Sequence, residues 1–127
     1  MNDTLEKMVL CLSSDLMMTG KISSLTRELN IPCRVLASLD QLKKWLDDRP
    51  DCARQLWLID LQRCQGQLES IKEHATALEP APKVIAYAQH VLPELIESGK
   101  LLGFDQVLTR GRFDKEVGPI INAFDAE

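Results

Sequence analysis

The sequence is short of the residues on which most small-molecule chemistry and nucleic-acid recognition depend. Its 127 residues hold two histidines, one tyrosine, two tryptophans and three phenylalanines. Cations show no excess: Lys and Arg number 15 against 19 Asp and Glu, a formal net charge of −4 with a pI near 5.2. There is thus no broad basic footprint, and nucleic acid is not an expected partner, although Arg110 and Arg112 stand close enough for a local patch. Four cysteines (Cys11, Cys33, Cys52 and Cys64) form no C-x-x-C pair and no zinc-ribbon spacing, which argues against a metal or redox motif. Cys11 and Cys33 lie in apolar runs, where a thiol packs as a small hydrophobe. No apolar run approaches the length that spans a bilayer. The stretch Met1–Lys7 carries acidic residues and lacks the apolar core of a signal peptide. A cytoplasmic, reducing location and no membrane partner are the expectations from these absences.

What is present is an ordinary globular composition, 45% hydrophobic and 27% charged, enough at this length for one domain with its own core. The hydrophobic period switches repeatedly. Met8 to Leu12 is a five-residue apolar run, the pattern of a strand buried on both faces. Ser13-Ser14-Asp15 then offers helix-capping chemistry ahead of Met18, Ile22, Leu25 and Leu29 at helical spacing. Asn30 and Pro32 end that helix. Cys33 to Ala37 reads as a short strand. Ser38 or Asp40 can cap a second helix with Leu39, Leu42, Trp45 and Leu46 on one face, stopped before Pro50.

Gln55 to Asp60 is another apolar strand, followed by a polar loop, Gln62 to Gly66. Leu68, Ile71, Ala75 and Leu78 form a third helical stripe, which Glu79-Pro80-Ala81-Pro82 breaks. Lys83 to Ala88 is a buried strand, and a helix around Leu92 to Leu101 follows. Gly103-Phe104-Asp105 turns the chain into the strand Gln106 to Thr109. Asp114 is placed to cap a last helix carrying Val117, Ile120, Ile121 and Phe124, with Gly118-Pro119 in its first turn. Five strand–helix units with short connections, and no linker or repeat, predict one domain over residues 1–127. Its fold class is α/β: a doubly wound, flavodoxin-like parallel sheet in the order 2-1-3-4-5 with helices on both faces.

In such folds ligands gather beyond the carboxyl ends of the strands. The residues expected there are Ser13, Ser14 and Asp15, Asp60, Ala88 with Gln89 and His90, and Thr109 with Arg110 and Arg112. With these in place, the chain resembles a receiver domain of the CheY-like response-regulator superfamily over nearly its whole length. The likeness is carried by the first apolar run ending in a polar triplet, Asp60 closing the third strand, and Val84-Ile85-Ala86-Tyr87-Ala88 as the fourth. Gly103-Phe104-Asp105 before the fifth strand and Val107-Leu108-Thr109-Arg110 within it complete it. The combination of Leu12-Ser13-Ser14-Asp15-Leu16, Tyr87-Ala88-Gln89-His90 and Leu108-Thr109-Arg110-Gly111-Arg112-Phe113 resembles a divergent bacterial pseudo-receiver group.

The resemblance implies a site in which an acidic pair and an aspartate hold Mg²⁺, the aspartate accepts a phosphoryl group, and a Ser or Thr with a Lys senses it. Position by position, the acidic pair falls on Ser13 and Ser14, the acceptor on Asp60, the hydroxyl sensor on Ala88 and the lysine on Arg110. The proline that usually follows that lysine is Gly111. Only the aspartate is retained. Mg²⁺ relies on carboxylate oxygens, so two serines and one aspartate suit it poorly. Without the metal, phosphoryl transfer lacks its main electrostatic clamp. Arg110 keeps a cation as a planar fork and is expected to reach Asp60 directly, locking one conformation.

The leading expectation is a non-enzymatic signalling module that binds proteins independently of phosphorylation, with no cofactor and no metal. By resemblance its contact surface is the face from Val91 to Phe124, which also suits a homodimer. A second reading keeps Asp60 as a phospho-acceptor with Asp15 as a makeshift metal ligand; Asp15 at the first turn of a helix is the plainer role. A third makes Ser13, Ser14, Gln89, Arg110 and Arg112 a small anion or metabolite site, against ordinary caps and a surface arginine. Ser13, Asp60 and His90 follow the chain order of a hydrolase triad, but no G-x-S-x-G elbow exists, and His90 reads as a loop residue making one hydrogen bond. Trp45 and Trp57 read as packing residues, Lys43-Lys44 with Asp47-Asp48 as a solvated helix face, and Met17-Met18 as core plus one half-exposed neighbour.

Overall fold

The computed structural model describes residues 7–48 and 54–127; Pro50 and Cys52 lie outside the described residues. The apolar runs become β1 (Lys7–Leu12), β3 (Arg54–Asp60) and β4 (Lys83–Ala88), and their shorter companions become β2 (Cys33–Leu36) and β5 (Gln106–Thr109). All pairings are parallel, in the order β2-β1-β3-β4-β5. The three inner strands are buried almost end to end, as their unbroken apolar sequences require. The edges β2 and β5 are short and partly exposed, which limits the open hydrogen-bonding edge.

Because side chains alternate along a strand, each inner strand feeds two cores. Val9, Cys11, Leu56, Leu58, Ile85 and Tyr87 face α1 (Leu16–Glu28) and α5 (Arg110–Ala126). Leu10, Leu12, Trp57, Ile59, Val84 and Ala86 face α2 (Leu39–Asp48), α3 (Leu68–Thr76) and α4 (Pro93–Leu101). Trp57 and Trp45 both sit in this second core. The Trp57 indole N–H donates to Gln55 Oε1 at 2.7 Å, which removes the penalty of burying it. Met18 is core, whereas Met17 is 83% exposed.

Local chemistry explains where the helices begin and end. Asp15 caps α1, its carboxylate accepting the Met18 amide at 3.1 Å. The same helix ends in a Schellman arrangement: Asn30 takes a left-handed φ of 58°, Ile31 N–H reaches Thr26 C=O and Asn30 N–H reaches Arg27 C=O. Ser38 Oγ accepts the Gln41 amide at the start of α2. Gly103, at φ 80°, turns the chain out of α4. Gly99 lets that helix lie close to the sheet, since a Cβ there would stand 3.3 Å from Leu61 and Val107.

The last helix departs from the sequence expectation. It begins at Arg110 and not near Asp114, because Thr109 sits in extended backbone and its hydroxyl accepts the Arg112 amide at 3.3 Å. Pro119 consequently falls inside the helix instead of in its first turn. It is exposed, as is Lys115, whose carbonyl loses the helical donor. This start matters for the site, since it places Arg110 at the first helical position, where its guanidinium reaches the Asp15 cap of α1.

Candidate functional site

At the carboxyl ends of β1, β3 and β4 the chain forms a cleft of about 330 Å³ lined by Ser14, Asp15, Asp60, Gln62, Arg63, Tyr87, Gln89 and Arg110. The fold therefore brings together Ser14, Asp15, Asp60, Gln89 and Arg110 from the residues that the sequence placed at the strand ends. Ser13 lies beneath them, 2% exposed.

Ser13 is the hub of the floor. Its Oγ is 2.8 Å from the Tyr87 hydroxyl and 3.5 Å from Asp60 Oδ2, and it accepts the Asp15 amide at 3.1 Å. An ionised carboxylate only accepts, so the arrangement that satisfies all three has Tyr87 donating to Ser13 and Ser13 donating to Asp60. Tyr87 is itself fixed by stacking on Phe113, with centroids 4.4 Å apart. Burial pushes the Tyr87 phenol well above its usual range, so it stays protonated and can donate. Tyr87 was not among the expected site residues. The signal for it was available: it is the chain's sole tyrosine, in a strand whose side chains after Lys83 are otherwise apolar, and a buried phenol needs a partner.

The two carboxylates of the cleft differ sharply. Asp15 uses Oδ1 to cap α1 and Oδ2 to hold Arg110, whose Nε and Nη2 both stand 2.7 Å away. Although burial works against its charge, the Met18 amide and the Arg110 guanidinium hold its carboxyl below the usual carboxylate range. Asp60 has no such neighbour. Burial pushes its carboxyl up, against the amides of Gln62 and Arg63 that favour the anion, and the nearby negative charge of Asp15 adds to the rise. The expected Arg110–Asp60 contact is not formed. Arg110 instead spans β5 to α1, because a fork rooted at the first position of α5 meets the α1 cap squarely.

The remaining expected residues fall elsewhere. Ala88 is 1% exposed and packs into the core facing α2, α3 and α4, so its methyl serves the interior and not the cleft. Thr109 caps α5. His90 is exposed on the turn after β4 and makes no hydrogen bond among the described residues, one fewer than expected. Arg112 points to solvent and pairs with Glu116. Of the five residues of the expected anion site, Ser14, Gln89 and Arg110 line the cleft with Ser13 beneath it, whereas Arg112 faces solvent, and both arginines pair with carboxylates.

The Mg²⁺ that the receiver resemblance implies does not fit this donor set. Both oxygens of Asp15 are engaged, one by an amide and one by a guanidinium, and Asp60 Oδ1 accepts the Gln62 amide at 3.0 Å. No cluster of three His, Cys, Asp or Glu that could hold a metal occurs among the described residues. Burial keeps the nearby Cys11 thiol protonated, pushed up to about 12, so it offers no thiolate.

Five parallel strands in this order, with helices on both faces and a polar cleft at the strands' carboxyl ends, form a flavodoxin-like fold. Comparison with solved structures finds the same fold in response-regulator receiver domains. The chain is similar to a response regulator receiver protein from Burkholderia phymatum at 17% identity, covering 95% of this chain and 96% of that one with a TM-score of 0.74. It is also similar to a response regulator from Thermotoga maritima (11% identity, coverage 97% and 100%, TM-score 0.73). A third is an atypical orphan response regulator whose structure is described as revealing a phosphorylation-independent regulatory mechanism (15%, 94% and 95%, 0.68). No protein-family model matches the sequence, and no curated protein is similar to it. No described helix is long and apolar enough to cross a membrane.

Proposed function

We propose that this domain is a receiver-like signalling module that works through protein contacts without phosphorylation and without catalysis of its own. The observation that carries this reading is the Arg110–Asp15 pair at 2.7 Å. Arg110, the cation at the start of α5 that would answer a phosphoryl group on Asp60, is spent on the α1 cap, and the carboxylate that would serve as a makeshift metal ligand is spent on that cation. Ala88 adds a second loss, since a buried methyl cannot follow a phosphate. A site of this kind favours one arrangement over two. The similarity to a regulator described as phosphorylation-independent points the same way. Protein contacts through the face formed by α4, β5 and α5, including contact with a second copy, belong to the same reading.

The test is direct. On incubation with acetyl phosphate and Mg²⁺, the intact mass is expected to stay unchanged. A gain of one phosphoryl group that vanishes in Asp60→Asn would overturn the reading in favour of a phospho-accepting receiver. A melting point that rises with sulfate or phosphate, and loses that rise in Arg110→Met, would instead favour an anion sensor.

A further inference from the structure

α4 sits on the sheet differently from its neighbours. α1, α2, α3 and α5 each bury at least three residues, whereas α4 buries Gly99 alone. Contact through a glycine brings the helix close but leaves the larger side chains around it half-covered. Leu95, Ile96 and Leu102 are only partly buried against the core, Leu101 is 80% exposed, and Val91, just ahead of the helix, is 62% exposed. Large apolar side chains grouped in this way mark a contact surface, while single ones scattered over a protein mean little.

The grouping has a direction. Successive helical residues turn by about 100°, so the side of α4 that carries Ser98 is set against α3, and Lys100 points about 200° away from it. On the Ser98 side, two hollows of about 320 and 330 Å³ meet at that serine and run together as a groove between α3 and α4. Leu68, Leu101 and Leu102 wall one hollow, and Val91, Leu92 and Leu95 wall the other. Glu69 and Glu94 are the charged residues of the lining, and no Lys or Arg among the described residues lines it. Lys72 reaches from α3 to the Gly103 carbonyl at 3.1 Å, which places its charge at the Leu102 end.

These features select an occupant. Both walls are helices, whose backbone groups are bonded internally, so an extended chain finds no strand edge to join; a helix laying down a stripe of apolar side chains suits such a groove. The nine residues of α4 span about 14 Å, the length of about two and a half helical turns. A second copy seated here about a two-fold axis would bring Glu69 and Glu94 against the same carboxylates, whereas a cation beside the stripe would complement them.

We propose that the α3–α4 groove binds an amphipathic helix of a partner protein, its apolar side chains at i, i+3 or i+4 and i+7 filling the two hollows. A lysine or arginine beside that stripe faces Glu69 and Glu94. The proposal rests on the reading that the domain works through protein contacts, and it does not require Asp60 to stay unmodified. It places the contact on the α3 side of α4, away from the face formed by α4, β5 and α5.

Random peptides displayed on phage and panned against the whole chain test it. The recovered sequences, synthesised and titrated by fluorescence anisotropy, are expected to carry apolar residues at helical spacing with a Lys or Arg beside them. They should gain helical circular dichroism on binding. Their affinity should fall about tenfold or more in Leu101→Lys. In the double variant Glu69→Gln with Glu94→Gln it should fall about threefold or more, with a weaker salt dependence. It should hold within about twofold in Lys100→Ala, on the far side of the same helix. Leu101 is exposed, so its variant keeps the fold and decides alone if the double variant does not. No recovered peptide, peptides without the stripe or the cation, or indifference to either set of substitutions overturns the proposal. Affinity that follows Lys100→Ala instead overturns the groove while protein binding stands. Self-association abolished by Leu101→Lys would name a second copy as the occupant and also overturn it. A phosphoryl gain in the mass assay strikes the functional reading alone, whereas failed panning strikes the groove alone.

Discussion

Asp15 and Asp60 are carboxylates of one cleft, one following β1 and the other closing β3, yet their surroundings push them in opposite directions. Asp15 is 22% exposed as a side chain and has a partner for each oxygen. Asp60 is half-buried and has hydrogen bonds only, and burial dominates. The difference teaches that two carboxylates lining one cleft can be put to different ends. Asp15 fastens α5 to α1, while Asp60 is met only by local amides and a serine hydroxyl.

The largest effect should come from the floor they share. Tyr87→Ala removes the ring stacked on Phe113 and the hydroxyl under Ser13, and should cost about 3–5 kcal/mol in denaturant unfolding. Tyr87→Phe keeps the ring and should cost about 1 kcal/mol, the worth of one buried hydrogen bond. If Tyr87→Phe costs as much as Tyr87→Ala, the hydroxyl network and not the stacking holds the site, and both carboxylates depend on it equally.

The next test separates them. Asp15→Ala loses a helix cap and an ion pair together, and should destabilise the fold by about 1–2 kcal/mol. Asp60→Ala should stay within about 0.5 kcal/mol of the parent at neutral pH, as expected where relief from burial offsets lost hydrogen bonds. Equal losses would erase the contrast.

Acidification probes the same contrast through linkage. Asp15, held below its ordinary value of 3.8, contributes stability that is present above that value and is lost as pH falls through its lowered folded pKa. Asp60 lies above 3.8 in the fold, so its contribution is fully present below 3.8 and is lost as pH rises through its raised folded pKa. The two slopes oppose each other in the parent. Asp15→Asn should therefore flatten the acid loss of stability, and Asp60→Asn should steepen it. Carboxyl ¹³C titration should show Asp60 titrating above 3.8 and Asp15 below it.

Much of the fold was legible because the three inner strands are continuous apolar runs and the connections are short. Alternation then assigns Leu58 and Ile59 to opposite cores with no further information. The helix stops were legible too, as at Asn30. The start of α5 was not: Gly111 and Gly118-Pro119 are poor helix residues, and they drew the expected start down to Asp114. What outweighed them is tertiary, the burial of Phe113, Val117, Ile121 and Phe124 against the sheet. The members of the cleft followed from strand ends, but the partner of Arg110 did not. Whether its fork reaches Asp15 or Asp60 depends on where α5 begins, and sequence spacing does not carry that. Tyr87 was missed for a related reason, since its hydroxyl looks like core decoration until the chain folds Ser13 beneath it.

The smallest effect distinguishes two arginines two residues apart. Arg112 pairs with Glu116 along one helix face, and the two side chains are 67% and 36% exposed. Arg110 and Asp15 join two helices, at 36% and 22%. An i,i+4 pair in solvent is worth about 0.3 kcal/mol and is screened by salt. The more sheltered pair should be worth nearer 1 kcal/mol, the upper end for such contacts, with weaker salt dependence. Arg112→Met should thus be almost silent in urea unfolding and silent altogether in high salt. Arg110→Met should remain measurable there, and adding Asp15→Asn to it should cost less than the sum of the single losses. Additivity would mean that the guanidinium and the carboxylate merely sit together. The cleft's contrast would then rest on Asp15 as a cap alone, and Arg110 would be free to turn toward Asp60.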